Sequence, residues 1–261
     1  MSENLSFESA VAEINGLQMY YEIYGSGKPL VLIHGGGSTI QTTFERIIPL
    51  LAQNRQVIAM DMQAHGRTAD RNVPLSFKQD ADDVVALLDH LGITKADILG
   101  FSNGGQTAIE LALRYSQRIN KLIVASAFYK RDAIPQAFWE GFNHATLDMM
   151  PKQLQEGFLQ VNNNRAALQN MFNRDVERMK KFEGWSDEQI RSIQLPVLIF
   201  NTTKDAGSIE HAVEMYRNFP NAELVILPGH HGQYLGAIEA LENGEWDQSY
   251  SVQIINNFLG K

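Results

Sequence analysis

Ala96-Asp97-Ile98-Leu99-Gly100-Phe101-Ser102-Asn103-Gly104 decides how this chain is read. Residues 96–100 form an apolar run of strand length, and from Gly104 to Tyr115 the pattern turns helical, so the chain passes from strand to helix through one tight corner. Glycines two positions on either side of Ser102 let the backbone fold that sharply, which pushes the serine hydroxyl out at the carboxyl edge of a sheet. Ser102 is therefore a candidate nucleophile. The pentapeptide alone also fits an ordinary loop, so its surroundings have to decide.

Upstream, Leu30-Val31-Leu32-Ile33-His34-Gly35-Gly36-Gly37-Ser38 is a second strand-length run, ending in a glycine cluster. Glycines of this kind permit a tight turn, and they also let backbone N–H groups point at one spot. A serine that attacks a carbonyl needs such donors for the developing oxyanion, one from this loop and one from the residue after the nucleophile. Those residues are Gly36 and Asn103.

Outward from these two stretches, strands and helices alternate, as in a parallel sheet covered on both faces. Residues 10–15 and 18–24 read as an antiparallel hairpin. Strands follow at 29–33, 56–60, 96–100, 121–125, 196–200 and 223–227, with helices at 41–53, 76–91, 104–115, 209–219 and 249–259. The alternation fails between residues 128 and 192, where helical stretches carry no convincing strand. That segment, an insertion over the sheet, is dense in large apolar side chains, among them Phe138, Trp139, Phe142, Met149, Met150, Phe172 and Met179. Most of these serve to dock the helices. Some line a pocket, for which Phe138, Trp139, Phe142 and the loop residue Gly37 are candidates, and adaptable methionines suit a bulky apolar ligand.

A serine hydroxyl is a weak nucleophile and needs a base, which in turn needs an acid to orient it. Asp205 lies just past strand 196–200, where such sheets present their chemistry, although a surface turn would also explain it. The end of strand 121–125, Val124-Ala125-Ser126-Ala127, offers no carboxylate. After strand 223–227 come two adjacent histidines, His230 and His231, either of which could reach the site. His34 supports the glycine loop and His65 belongs to the loop after strand 56–60. His90, His144 and His211 lie on helical stretches where a surface imidazole is the default.

Five ordered landmarks carry a resemblance over essentially the whole length. They are Leu32-Ile33-His34-Gly35-Gly36-Gly37, Asp61-Met62-Gln63-Ala64-His65-Gly66-Arg67, the serine corner, residues 196–205, and Leu227-Pro228-Gly229-His230-His231-Gly232. In these the chain resembles the α/β-hydrolase family. The resemblance implies a mostly parallel eight-stranded sheet with helices on both faces, a core of residues 1–127 and 193–261, and a helical cap at 128–192. It also implies a triad in the order serine, acid, histidine, carried here by Ser102, Asp205 and His231, with Gly36 and Asn103 as the oxyanion hole. His231 fits the family pattern because Gly232 follows it. Thr203 departs from the pattern, standing where relatives often carry a second acid.

A serine at the corner implies a carboxylic-ester hydrolase rather than the family's aspartate-based dehalogenases. Esterases, lactonases, amidases, thioesterases and carbon–carbon hydrolases share that serine, and some hormone receptors reuse the fold without turnover. Ser38-Thr39-Ile40-Gln41 and His231-Gly232-Gln233-Tyr234-Leu235-Gly236 are similar to the esterases that open the lactone ring of macrolide antibiotics. The substrate so implied is a small-molecule apolar ester or lactone.

Composition narrows the rest. The 261 residues suit one α/β unit. With 30 acidic against 22 basic residues the net charge of −8 disfavours a nucleic-acid partner. Cysteine is absent, and no cluster has metal-ligand spacing, so neither metal nor cofactor is expected. The first residues lack a basic start and an apolar stretch, and no run reaches the ~18 apolar residues of a membrane span, so a cytoplasmic protein is expected. The polar stretch 239–247 is expected to pack near the histidine loop without catalytic duty.

Overall fold

The computed structural model describes residues 6–244 and 246–260. Eight strands form one sheet: β1 (Phe7–Ile14), β2 (Leu17–Tyr24), β3 (Lys28–Ile33), β4 (Arg55–Met60), β5 (Ala96–Phe101), β6 (Ile119–Ala125), β7 (Val197–Lys204) and β8 (Ala222–His230), in the spatial order β1-β2-β4-β3-β5-β6-β7-β8. The pairs β1–β2 and β2–β4 are antiparallel, and every later pair is parallel. This is an α/β-hydrolase fold. The order reverses at β3, which has β4 on one side and β5 on the other, so the crevice beyond the ends of β3 and β5 is where such a sheet binds ligands. The glycine loop and the serine corner leave from those two ends.

The helices are α1 (Ile40–Phe44), α2 (Ile48–Leu51), α3 (Phe77–His90), α4 (Asn103–Tyr115), α5 (Gln136–Gly141), α6 (Lys152–Val161), α7 (Arg165–Lys180), α8 (Asp187–Ser192), α9 (Ile209–Asn218) and α10 (Gln248–Leu259), with short 3-10 turns between some of them. Alternation along β3 sends Val31 and Ile33 to one face and Leu30 and Leu32 to the other. The first face packs on α3, α4 and α9 through Val84, Leu88, Ile109, Ala112 and Met215. The second packs on α1, α2 and α10 through Phe44, Leu51, Ile255 and Phe258. Ser76 caps α3 by accepting from the Gln79 N–H, and places Ala81, Val84, Leu87 and Leu88 on the buried stripe.

Two expectations change. The single helix expected at 41–53 is two short ones, α1 and α2, because Pro49 near the start of α2 has no N–H to continue a helix from α1. Strands β7 and β8 run further than their apolar cores, to Lys204 and His230, since their ends still pair across the sheet. Between β6 and β7 the described residues are helical, with one isolated bridge between Lys130 and Gly184. Their apolar side chains form two clusters of their own, one around Phe128, Trp139 and Phe182, the other around Leu154, Phe158 and Met171.

Candidate active site

Ser102 sits between β5 and α4 with φ 52° and ψ −122°, a left-handed conformation that a non-glycine residue adopts at a cost of roughly 1–3 kcal/mol. The surroundings hold it there. Its N–H donates to the Ala125 carbonyl at 2.9 Å, and its own carbonyl accepts from Gly105 N at 2.7 Å. A Cβ on Gly100 would strike the Gly104 carbonyl, and one on Gly104 would strike that of Ile33. Both glycines are thus needed for the close approach of helix to sheet.

Asp205 follows β7 and is fully enclosed, and its Oδ1 receives Nδ1–H of His231 at 2.5 Å. Its Oδ2 accepts from the Ser126 hydroxyl at 2.6 Å, from Thr202 N–H at 3.1 Å and from the Thr202 hydroxyl at 3.0 Å. Burial alone would raise this carboxyl's pKa, but the His231 bond and charge together with the Ser126 hydroxyl bring it below the usual value. Burial likewise opposes the imidazolium, yet the bond and charge of Asp205 lift His231 above a free imidazole. With Nδ1 donating to Asp205, the neutral ring carries its lone pair on Nε2, the atom a base must present. The ring is 29% exposed and rests on Phe101, centroids 4.8 Å apart. Gly232, with φ +72°, makes room for it, because a Cβ there would meet Phe101 and Ala237 at 2.7 Å.

Ser102 and His231 line one cavity of about 410 Å³, together with Gly36, Gly37 and Asn103. Among the described residues the Ser102 hydroxyl makes no hydrogen bond to His231, and such contacts commonly tighten only with substrate bound. Phe128, Phe138, Phe142, Met149, Met150, Leu154, Phe172 and Met179 supply the apolar wall. Among the described residues neither lysine nor arginine contributes to it.

Trp139, expected in the cavity, is not part of its wall. It is 3% exposed, its ring stacks on Phe182 at 5.8 Å, and its Nε1–H donates to the Arg131 carbonyl at 2.9 Å. Phe138 on α5 and Phe142 at its end, four residues apart, line the cavity, while the indole packs away from it. His230 ends β8, its N–H donating to Gln233 Oε1 at 3.0 Å, and stays out of the cavity wall. His211 is buried rather than on the surface, bonded to Glu214 and accepting from Tyr129 N–H. His34 holds the glycine loop: Nδ1 donates to Gly35 O at 2.7 Å and Nε2 accepts from Met62 N at 3.0 Å. Burial, then the neighbouring His65, push it down to about 3, which keeps it neutral. Of the 239–247 stretch, Gln233 Nε2 ties the carbonyls of Asn243 and Gly244 to the histidine loop, and Glu245 lies outside the described residues.

Three residues of the site carried no signal in the sequence. Ser126 and Tyr234 support Asp205, the two hydroxyls lying 3.0 Å apart. Asp175 of α7 reaches into the cavity from the helical segment. Among the described residues there is no group of three His, Asp or Glu side chains able to hold a metal, and no helix long and apolar enough to cross a membrane.

The family described as alpha/beta hydrolase fold matches residues 28–174. The dihydrolipoyllysine-residue acetyltransferase component of the acetoin cleaving system of Pseudomonas putida is 31% identical over 240 residues, covering 83% of this chain and 62% of that protein. A 2-hydroxymuconate semialdehyde hydrolase of Pseudomonas sp. (strain CF600) is 38% identical over 104 residues, covering 38% of this chain and 36% of its own length. The matches thus span 62% and 36% of these relatives' lengths, less than two thirds of either. The solved structure of Est816, described as an N-acyl homoserine lactone degrading enzyme, superposes with a TM-score of 0.76 at 23% identity, covering 95% of this chain and all of its own. Strand order, serine corner and family match together assign the protein: the chain belongs to the α/β-hydrolase fold family.

Proposed function

We propose that this chain is a serine hydrolase of uncharged, apolar carboxylic esters, lactones included, acting through an acyl-serine intermediate. The observation that carries the reading is the Asp205–His231 bond of 2.5 Å beside a strained Ser102, with serine and histidine opening into one apolar cavity. Ser102 Oγ attacks the carbonyl carbon while His231 Nε2 takes its proton. The N–H groups of Gly36 and Asn103 receive the oxyanion. His231 returns the proton to the departing alkoxide, then activates a water that releases the acid and frees Ser102. The helical segment over the sheet serves as a cap whose aromatics, Phe138 and Phe142 with Gly37 below, contact the substrate.

Charge selects among the chemistries that share this serine. A muconate-type substrate, as named for the Pseudomonas hydrolase, is an anion near neutrality, and an apolar cavity would have to offer it a cation. Among the described residues the wall has no Lys or Arg. Arg178, one turn from Asp175 on α7, spends its guanidinium on Asp80 and Asp175. This favours a neutral ester or lactone over a carboxylate.

Within that class the finer reading is a macrocyclic lactone, favoured by the methionine- and phenylalanine-lined wall. A volume of about 410 Å³ lies toward the small end of the roughly 300–1,000 Å³ of drug-sized pockets. A macrolactone would therefore be gripped around its ester carbonyl with the remainder outside. The test is a mass-spectrometric panel of aryl esters, acyl lactones, macrolactones and vinylogous carbon–carbon substrates, with fluorophosphonate labelling mapped by peptide digestion. Labelling of Ser102 and turnover beyond one equivalent support the hydrolase. Preference for the carboxylate-bearing carbon–carbon substrates would overturn the neutral-ester reading, and acyl lactones or aryl esters far outpacing every macrolactone would end the macrolactone one.

A further inference from the structure

Behind the cavity lies a second histidine–carboxylate pair that the hydrolytic steps do not use. Asp175 lines the cavity from α7. Its Oδ2 accepts Gly37 N–H at 2.7 Å and His65 Nε2–H at 2.9 Å, and its Oδ1 accepts from Arg178 at 2.6 Å. Arg178 also donates to Asp80 at 2.8 Å. His65 Nδ1 is in turn 2.8 Å from the Gln63 carbonyl, so both ring nitrogens face acceptors and only the imidazolium can donate to both. Asp175 therefore sits between two cations. Burial would raise its carboxyl, but the charges of His65 and Arg178 hold it well below the usual carboxylate range.

A charge placed in the wall of an otherwise apolar cavity needs a reason, since burial of an ion is costly unless it is paired. The reason offered by the geometry is the glycine loop. Gly35, Gly36 and Gly37 run in succession, and such a stretch has little preference of its own for one backbone conformation. The loop turns through a weak 3.4 Å bond from Ser38 N to Gly35 O, and Gly37 has φ +67°. The bond from Gly37 N–H to Asp175 fixes the Gly36–Gly37 peptide plane and so constrains where Gly36 lies. Its direction is fixed from above, by a helix of the segment between β6 and β7.

We infer that Asp175 is a positioning residue that sets the oxyanion loop, so that the loop reaches its working geometry only when α7 is docked on the sheet. This rests on the serine-hydrolase reading above. A cap helix would then do more than enclose substrate: its docking would complete the site.

The test compares the full-length wild type with Asp175→Ala and Asp175→Asn. Hydrolysis of p-nitrophenyl acetate is measured alongside the rate of fluorophosphonate labelling at Ser102 and the thermal melt. The acetyl ester is too small to need the apolar wall, so its loss of rate reports the loop. Asp175→Ala is expected to lower kcat about 100-fold, the scale of losing one oxyanion donor, with KM little changed and labelling slowed in parallel. Asp175→Asn keeps an acceptor for Gly37 N–H and is expected to recover a large part of that loss. In the wild type, amide exchange followed by NMR should find Gly37 N–H strongly protected, a reading that survives if the alanine variant does not fold. Unchanged kcat and labelling in a folded Asp175→Ala, or a Gly37 amide that exchanges as a free loop does, overturns the inference alone. A wild type that no fluorophosphonate labels overturns the hydrolase reading and this role with it.

Discussion

His231 and His65 are each bonded to an aspartate, at 2.5 and 2.9 Å, and His231 and Asp175 line the same cavity. What separates them is the other ring nitrogen. His65 uses its Nδ1 on the Gln63 carbonyl and is 1% exposed, so its proton has nowhere to go. His231 uses Nδ1 on Asp205 and leaves Nε2 available at a cavity, with 29% of its side chain exposed. One pair is a fixed ion pair that ties elements together. The other, in the proposed function, serves as the proton acceptor, since a base has to be able to change its charge.

The contrast can be broken most sharply at the reacting groups. Ser102→Ala and His231→Ala are each expected to lower kcat/KM by about four orders of magnitude or more while the thermal melt stays in place, whereas His230→Ala should stay within about twofold of wild type. Asp205→Asn should approach the same loss, about 10⁴-fold, because the amide cannot stabilise the imidazolium. Steady-state kinetics on an aryl ester checks all four, and a silent Asp205→Asn would remove Asp205 from the triad.

The two histidines should also differ in their response to pH. His231 must be neutral to accept a proton, and Asp205 raises its pKa above the ordinary ~6.5, so kcat/KM should climb with pH through an apparent pKa above that value. Asp205→Asn should move the limb downward. His65 should leave no limb in the rate. It should appear in stability instead. Its raised folded-state pKa makes its contribution complete below ~6.5 and lost as pH rises through the folded value, while depressed Asp175 contributes above ~3.9 and loses that contribution as pH falls. Chemical denaturation across pH measures both slopes. His65→Ala, which strips one cation from a buried carboxylate, should cost about 3–5 kcal/mol of stability.

The smallest effects distinguish the two aromatic neighbours on the α5 segment. Phe142→Ala, which opens the cavity wall, should alter the ratio of large to small ester turnover by about tenfold and change the melt little. Trp139→Ala removes a buried indole and should cost about 3–5 kcal/mol of stability with the selectivity ratio retained in the folded protein. A selectivity change confined to Trp139→Ala would restore it to the substrate wall.

Asp205 and Trp139 differ in how much of their placement the sequence pattern carries. Asp205 could be found because it terminates an apolar strand, and a parallel sheet exposes its chemistry at strand ends. Trp139 could not be told from Phe138 or Phe142, because a six-residue helix with apolar residues at adjacent positions has no single buried stripe. His211, buried by Tyr129 and Glu214, misled for the same reason: a histidine on a helix gives no local sign of which face it occupies.

The strand and helix alternation, the serine corner and the glycine loop were legible along the chain, and the family resemblance, through Gly232, favoured His231 over His230 as the proposed base. These follow from local rules, the period of apolar residues and the few residues that tolerate a tight turn. The folded structure adds the 2.5 Å bond between His231 and Asp205, the Ser126 hydroxyl on that carboxylate, and Asp175 reaching Gly37 across 138 positions of chain. Such contacts depend on how far a helix slides over the sheet and which way one side chain turns, and neither leaves a mark on the spacing of residues along the chain.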